Sequence, residues 1–531
     1  MTTGADLMAR RFAAAGIRYA FGIPGGEVLA LVDALERAGI RFILTKHENA
    51  AGFMAEAVWH ATGAPGLFLA TLGPGVANAA NVVANALQDR VPLIFVTGCV
   101  DQALAETFTH QVFDHQALLR PIVKATFRAA SGTEDLVADK ALTIALSRRP
   151  GPVHIDLPIG VAEAEVAERP VIVSSLPVPS VPASLDQASA MIAKAARPLV
   201  IAGLDLVAEG SGAALDAFLT ATGAPLITTY KAKGLVSETD PRVIGAAGLS
   251  PKADRIVMPL IADADLIILA GYDPIEMRVG WRHPWGPDKP VIDLVAEAMP
   301  HGMHSGTVTH EGDVGLMLER LAATVTPKPV WSGGEPARAR DALARAFAAP
   351  GPWGPHNVFE TVRAIAPAET VASVDSGAHR ILLSQMWTAS LPHTLIQSTG
   401  LCTMGCALPL AAGHALVTGR PTLCFVGDAG LEMVLGELAT VRDLKLPVVV
   451  VVLVDAQLGL IELKQRQQQL ATAGVDFGQT DFATVAKALG GHGVSVADKA
   501  ALEQATRDAF ARPGFTVIAA EIGQRAYDGA F

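Results

Sequence analysis

Short apolar runs closed by glycine or proline turns alternate along this chain with stretches that carry a single apolar stripe. Residues 5–15 show the period of an amphipathic helix. Residues 18–21 read as a strand entering the turn Gly22-Ile23-Pro24-Gly25-Gly26, followed by a helix over 28–38 and a strand over 41–44. A helix over 52–62, a strand over 66–71 running into Gly73-Pro74-Gly75, a helix over 78–89 and a strand over 92–97 continue the alternation, and a strand closes the unit at 153–158. The pattern returns with apolar runs at 198–203, 266–271 and 290–294, and again beyond residue 350. Regular βα alternation predicts parallel sheets covered by helices on both faces. Two stretches rich in proline, serine or glycine, 168–186 and 327–355, read as linkers, the second around a helical stretch at 337–348. The expectation is an α/β protein of three doubly wound parallel-sheet domains, at 1–165, 187–325 and 350–531.

Composition narrows the picture. The chain has 531 residues, half of them hydrophobic and 18% charged, enough for several well-filled cores. A net charge of −11 disfavours nucleic acid or an anionic membrane as partner. The N-terminus lacks the unbroken apolar core of a signal peptide and no apolar run reaches a membrane span, so a cytoplasmic location is expected. The four cysteines, at 99, 402, 406 and 424, lack the paired spacing of a zinc site and read as buried free thiols.

Candidate chemistry is densest over residues 423–461. Cys424-Phe425-Val426 ends at Gly427-Asp428-Ala429-Gly430. A helical stripe of Leu431, Val434, Leu435, Leu438 and Val441 follows, and the apolar run 448–454 ends at Asp455-Ala456-Gln457. Asp428 and Asp455 thus end two strands, on the edge where open parallel sheets bind ligands. Glycines beside Asp428 let a phosphate approach the backbone, and the helix start offers free N–H groups. Mg²⁺ takes hard oxygen ligands, often one or two carboxylates with phosphate and water. Asp428, Asp455 and one backbone carbonyl of the second loop, at Gln457, can supply the protein's share for a diphosphate-bound Mg²⁺. Without further context the same residues are an ordinary strand-to-helix turn and a solvated strand end.

Gly427-Asp428-Ala429, the helix containing Glu437-Leu438, the Leu-Pro-Val strand and Asp455 resemble the diphosphate-binding motif of thiamine diphosphate (ThDP) enzymes. Ala429 replaces that motif's second glycine, and Val454-Asp455 its Asn-Asn or Asn-Asp pair. The segments FGIPGG, KHENAA, LGPG and RPGPVHIDLP, in this order, resemble the pyrimidine domain of the acetolactate synthase branch. Residues 398–409 resemble that branch's SGGLGTMGFGLP, and 474–482 carry its VDFG-plus-DF pattern. The resemblance implies that Glu48 is the activating glutamate, bonded to the cofactor's pyrimidine so that its imino form can take the C2 proton. It places Gly25 and Gly73 beside the same pocket, Gln111 on its substrate side, Met404 beneath the bent cofactor, and Gly427 to Gly430 with Asp428, Asp455 and Gln457 at the diphosphate and Mg²⁺.

Some positions depart from the synthases. His110 stands where they carry Phe, and Ile159 where they carry Lys. His110 and His115 also read as plain loop histidines. Residues 271–276, GYDPIE, resemble the catabolic, flavin-free synthases, so FAD is not favoured; Lys231 and Lys233 read as surface residues. The polar stretch 462–467 reads as a solvated helix or a lid. The expected activity is decarboxylation of a pyruvate-like 2-oxo acid and carboligation to a second carbonyl, in a homodimer or homotetramer with sites at subunit interfaces. Two alternatives stand beside it: a non-ligating decarboxylase or a ligase for another substrate, and a weakly active ThDP-fold binding protein.

Overall fold

The computed structural model describes residues 2–171 and 179–531. Part of the first expected linker, 172–178, lies outside the described residues. Among those described, three six-stranded parallel sheets are each flanked by helices. The first sheet runs Arg41–Leu44, Tyr19–Ile23, Gly66–Ala70, Leu93–Cys99, Val153–Pro158, Ala125–Arg128 across its width. The last runs Leu395–Gln397, Ala372–Val374, Thr422–Gly427, Val448–Val454, Thr516–Glu521, His492–Val496. Counted in chain order, both read 2-1-3-4-6-5, a repetition that no sequence pattern announces. The middle sheet runs Val308–Glu311, Val291–Val295, Leu266–Ala270, Pro198–Ala202, Leu226–Thr228, Val243–Ala246, the doubly wound order 6-5-4-1-2-3.

Strands covered on both faces must be apolar at every position, and Val448–Val454 is buried throughout. Its register pairs Phe425 with Val451 and Gly427 with Leu453. Parallel neighbours therefore end together, and Asp428 and Asp455 reach the same edge.

The first and last domains share one core. Helix Glu48–Thr62 lies along helix Ala407–Thr418, with Phe53, Met54 and Ala57 against Leu408, Ala411, Ala412 and Ala415. A Cβ at Gly413 would stand 2.4 Å from the Met54 carbonyl oxygen. Only a residue without a side chain permits that approach.

Several expectations are corrected. The stripe 431–441 forms two short helices, Asp428–Met433 and Glu437–Asp443, because the backbone leaves the helical region at Val434, φ −129° and ψ 19°; the Glu437 carboxylate at the start of the second accepts the Lys46 N–H at 2.8 Å. The 327–355 stretch is packed rather than open: Trp331 and Phe347 are buried, and the Trp331 indole donates to the Pro198 carbonyl at 2.7 Å. Lys231 and Lys233 are not surface residues, because each finds a carboxylate, the buried Asp89 at 2.7 Å and the partly buried Glu238 at 2.5 Å. No helix among the described residues is long and apolar enough to cross a membrane.

Gly413→Leu is expected to force the two domain helices apart and to destabilise the protein by about 1–3 kcal/mol. The urea midpoint measures this, and Gly413→Ala should show the same direction with a smaller effect.

Candidate active site

The last sheet reverses direction of winding between its strands Ala372–Val374 and Thr422–Gly427, where ligands bind in open α/β sheets. Asp375 follows the first of these strands and is fully buried. Its Oδ2 accepts the Gly405 N–H at 2.9 Å, and its Oδ1 accepts those of Cys406 at 2.8 Å and Ala407 at 3.2 Å. Asp375 thereby caps helix Ala407–Thr418. A Cβ at Gly430 would stand 2.2 Å from Asp375 Oδ2, so this turn requires glycine.

Asp428 follows the second strand. Its Oδ1 accepts the Ala429 N–H at 2.9 Å, and its Oδ2 accepts those of Asp455 at 3.1 Å and Ala456 at 2.7 Å. Burial still raises its carboxyl above the usual range despite these donors. Asp455 is pushed up to about 7, by burial first and then by the Asp428 charge. Gln457 places its amide nitrogen on Asp476 at 2.6 Å, while its buried Oε1 has no partner.

These groups line one cavity of about 400 Å³, together with Met404, Gly427, Ala429 and Gly430. The same wall holds Ser376, His379, Arg380 and Tyr527, in which Ser376 Oγ, His379 Nε2, Arg380 Nε and the Tyr527 hydroxyl are buried without partners. Burial, then the Arg380 charge, lowers His379 to about 4, so its ring is neutral at pH 7. Arg278 reaches the cavity from the middle domain, and Leu249, Ile461 and Lys464 complete the rim.

Two carboxylates at adjacent strand ends, one of them raised by the other's charge, and a free amide oxygen are a hard-oxygen donor set of the kind Mg²⁺ takes. Among the described residues no three His, Cys, Asp or Glu side chains group as a metal cage. The remaining ligands of an octahedron are thus left to a diphosphate and water. The unpartnered Ser376 and His379 side chains suit the same anion. The residues present fit a Mg²⁺-diphosphate.

Glu48 does not line this cavity. It begins helix Glu48–Thr62 on the first sheet, and its Oε2 accepts from Asn78 Nδ2 at 3.0 Å. A Cβ at Gly75 would stand 3.2 Å from Glu48 Oε1. Gly73, at φ +67°, backs onto the Gln111 carbonyl, 2.2 Å from the position of a Cβ, and Gly25 backs onto the Thr71 hydroxyl. Gly25, Glu48 and Gly73 therefore lie just past strand ends at the carboxyl edge of the first sheet, and the loop after strand Leu93–Cys99 brings Gln111 against Gly73.

His110 is exposed, edge-on to Phe108 with ring centroids 6.4 Å apart. His115 is not a surface residue. It is buried with Nδ1 on Asp156 at 2.8 Å, while its Nε2 accepts the Gly73 N–H at 3.1 Å. Cys402 is the one exposed thiol; Arg380 holds its sulfur at 3.1 Å on the cavity wall, whereas the other three cysteines are buried. In the polar helix Gly459–Gln467, Glu462 turns inward and is buried, paired with Arg466 at 3.1 Å. Of the wall residues that motif reading passed over, Asp375 to His379 had a signal, a polar cluster at a strand end. Arg278 and Tyr527 had none, because only the fold brings them there.

Models of the thiamine pyrophosphate enzyme N-terminal TPP binding domain, central domain and C-terminal TPP binding domain match residues 2–118, 185–321 and 375–520. The chain is 29% identical to the acetolactate synthase isozyme 1 large subunit of Escherichia coli strain K12, over 97% of this chain and 93% of that protein. It is 28% identical to the catabolic acetolactate synthase of Raoultella terrigena, over 98% and 95%. It is 31% identical to the probable 2-ketoarginine decarboxylase of Pseudomonas aeruginosa, over 97% and 93%. Three doubly wound domains with a diphosphate-suited cavity on the last of them define a ThDP-dependent enzyme, and the chain belongs to that family. Within it, the chain falls in the acetolactate synthase-like branch.

The carboxylate pair carries a pH signature. A carboxyl raised in the folded state costs stability progressively as pH climbs from the ordinary value of 3.8 to about 7, and the full cost is present above that. In cofactor-free protein, Asp455→Asn should therefore raise the melting temperature more at pH 8 than at pH 5. Differential scanning calorimetry at the two pH values checks this.

Proposed function

We propose that this enzyme uses ThDP and Mg²⁺ to decarboxylate a pyruvate-like 2-oxo acid and to join the retained fragment to a second carbonyl, as an acetolactate synthase does. The observation that carries the reading is one cavity wall that combines the Asp428–Asp455 pair, Met404 and a guanidinium from another domain, Arg278. Bound ThDP supplies an electron sink that lets a 2-oxo acid lose CO₂. Asp428, Asp455 and Gln457 hold the Mg²⁺, and the Ser376 hydroxyl and His379 ring donate to the diphosphate. Met404, on the wall of the same cavity, would pack against the bound cofactor. Arg278 and Lys464 are the cations on the wall suited to a substrate carboxylate. Glu48, with Oε2 held by Asn78, keeps Oε1 available to carry the proton exchanged with the pyrimidine. Gly25, Gly73 and Gln111 shape the pyrimidine side, and His110 stands at its substrate-facing end.

Glu48 and Asp428 sit on different walls, and a second copy of the chain brings them together. Exposed apolar side chains at both edges support this: Leu29 and Leu44 in the first domain, Met433 in the last. The working unit is thus a homodimer or a dimer of dimers, placed in the cytoplasm. The middle domain is read as flavin-free on the likeness of residues 271–276 to the catabolic synthases.

A second reading, simple decarboxylation or ligation of a different 2-oxo acid, draws on the likeness to the 2-ketoarginine decarboxylase and on the exposed His110. Product analysis with pyruvate separates the two. Acetolactate is expected; acetaldehyde alone would favour the second reading, and no pyruvate consumption by ThDP-loaded protein would reject pyruvate as donor. Glu48→Gln should lower turnover about 100-fold or more while ThDP still binds.

A further inference from the structure

Met404 lies on a loop, residues 398–405, that is clamped at both ends. Asp375 holds the far end through Gly405 and Cys406. The near end is held by another domain. Asp89 caps helix Pro74–Gln88 of the first domain, and its carboxylate accepts the N–H of Thr399 at 3.1 Å and of Gly400 at 2.8 Å. Ser398 Oγ donates to Asn85 on the same helix at 2.6 Å and accepts the Thr403 N–H at 3.1 Å. A Cβ at Gly400 would stand 2.6 Å from that of Gln88, so the contact is backbone against helix end.

The third participant comes from the middle domain. Lys231 Nζ meets Asp89 Oδ2 at 2.7 Å, with their side chains 7% and 1% exposed. Burial works against the charged form of this lysine, but Asp89 and then Glu56 outweigh it and hold the ammonium above its ordinary range. Its own backbone N–H is fixed by Glu276 Oε1 at 3.1 Å. A buried ion pair is a poor source of stability compared with apolar packing, but it is a stringent setter of geometry. Here a carboxylate receives a buried cation on one side and two loop N–H groups on the other.

We propose that the Asp89–Lys231 pair is a positioning device, through which the middle domain sets the loop 398–405 and with it the placement of Met404 in the cofactor cavity. Neither residue touches substrate. The inference rests on the ThDP reading of that cavity. Without Lys231, Asp89 keeps an uncompensated buried charge and pulls differently on Thr399 and Gly400. A displacement of this kind near a reacting centre costs rate rather than affinity, on the order of 10- to 100-fold.

The test compares Lys231→Met, Lys231→Arg and Asp89→Asn in the full-length protein, with two readouts. The first is amide hydrogen exchange of Thr399, Gly400 and Thr403 in cofactor-free protein. Exchange should quicken at least about tenfold in Lys231→Met and Asp89→Asn and be restored toward wild type in Lys231→Arg. The second is steady-state turnover: kcat should fall about 10- to 100-fold with KM for the 2-oxo acid changed less than about threefold. Unchanged exchange in the loop overturns the proposal whatever the activity. Faster exchange with unchanged kcat per folded molecule also overturns it, leaving a merely structural pair. Should wild type turn over no 2-oxo acid, the proposed activity of the site fails by itself, while the exchange data still report on the clamp. Should Lys231→Met not fold, Asp89→Asn, which keeps a short acceptor facing the loop, supplies both readouts.

Discussion

Two carboxylates buried at neighbouring strand ends are the constraint around which the last domain is arranged. Parallel strands in register end together, so Asp428 and Asp455 cannot be separated without breaking the sheet. Their repulsion, expressed in the raised Asp455 carboxyl, is relieved by protonation or by a cation, and backbone N–H groups hold Asp428 in place for the second. The flanking small residues follow from the same need. Gly430 admits Asp375, Gly427 lies over the His379 ring, and Ala429 is the smallest side chain compatible with the helix start.

The domains are joined by a different physics. Helix Glu48–Thr62 and helix Ala407–Thr418 meet through alanine and glycine, which brings two backbones close and leaves little freedom to slide. The residue that begins the first of these helices is Glu48, and the loop that precedes the second carries Met404. A seam between domains therefore fixes both the start of the Glu48 helix and the end of the loop that carries Met404. Buried ion pairs, Arg90 with Asp273 and Lys231 with Asp89, tie in the middle domain around the same junction.

Much of this was legible in the residues. Apolar runs of strand length, glycine turns and intervening helical stripes define three parallel sheets, because strands buried on both faces have no other composition. Asp428 and Asp455 were legible because strand ends and ligand edges coincide. Less local features were not. Nothing near Lys231 announces a buried partner, since Asp89 lies 142 positions earlier (231 − 89). Arg278 and Tyr527 reach the cavity only through tertiary structure, and His115 looks like a loop histidine until Asp156, on a strand two turns of fold away, is placed against it. The 431–441 stripe misled because a period of 3.6 survives a break between two helices, and the break is a single non-helical backbone position, Val434.

The most direct measurement is a calorimetric titration of ThDP into cofactor-free protein with Mg²⁺, with excess chelator, and with Mg²⁺ in Asp428→Ala. The account predicts saturable binding, stoichiometric per chain, in the first case, and a loss of affinity of at least about 100-fold in the other two, since both remove the bridge between carboxylates and diphosphate. Binding of ThDP that is indifferent to the chelator and to Asp428→Ala would contradict it.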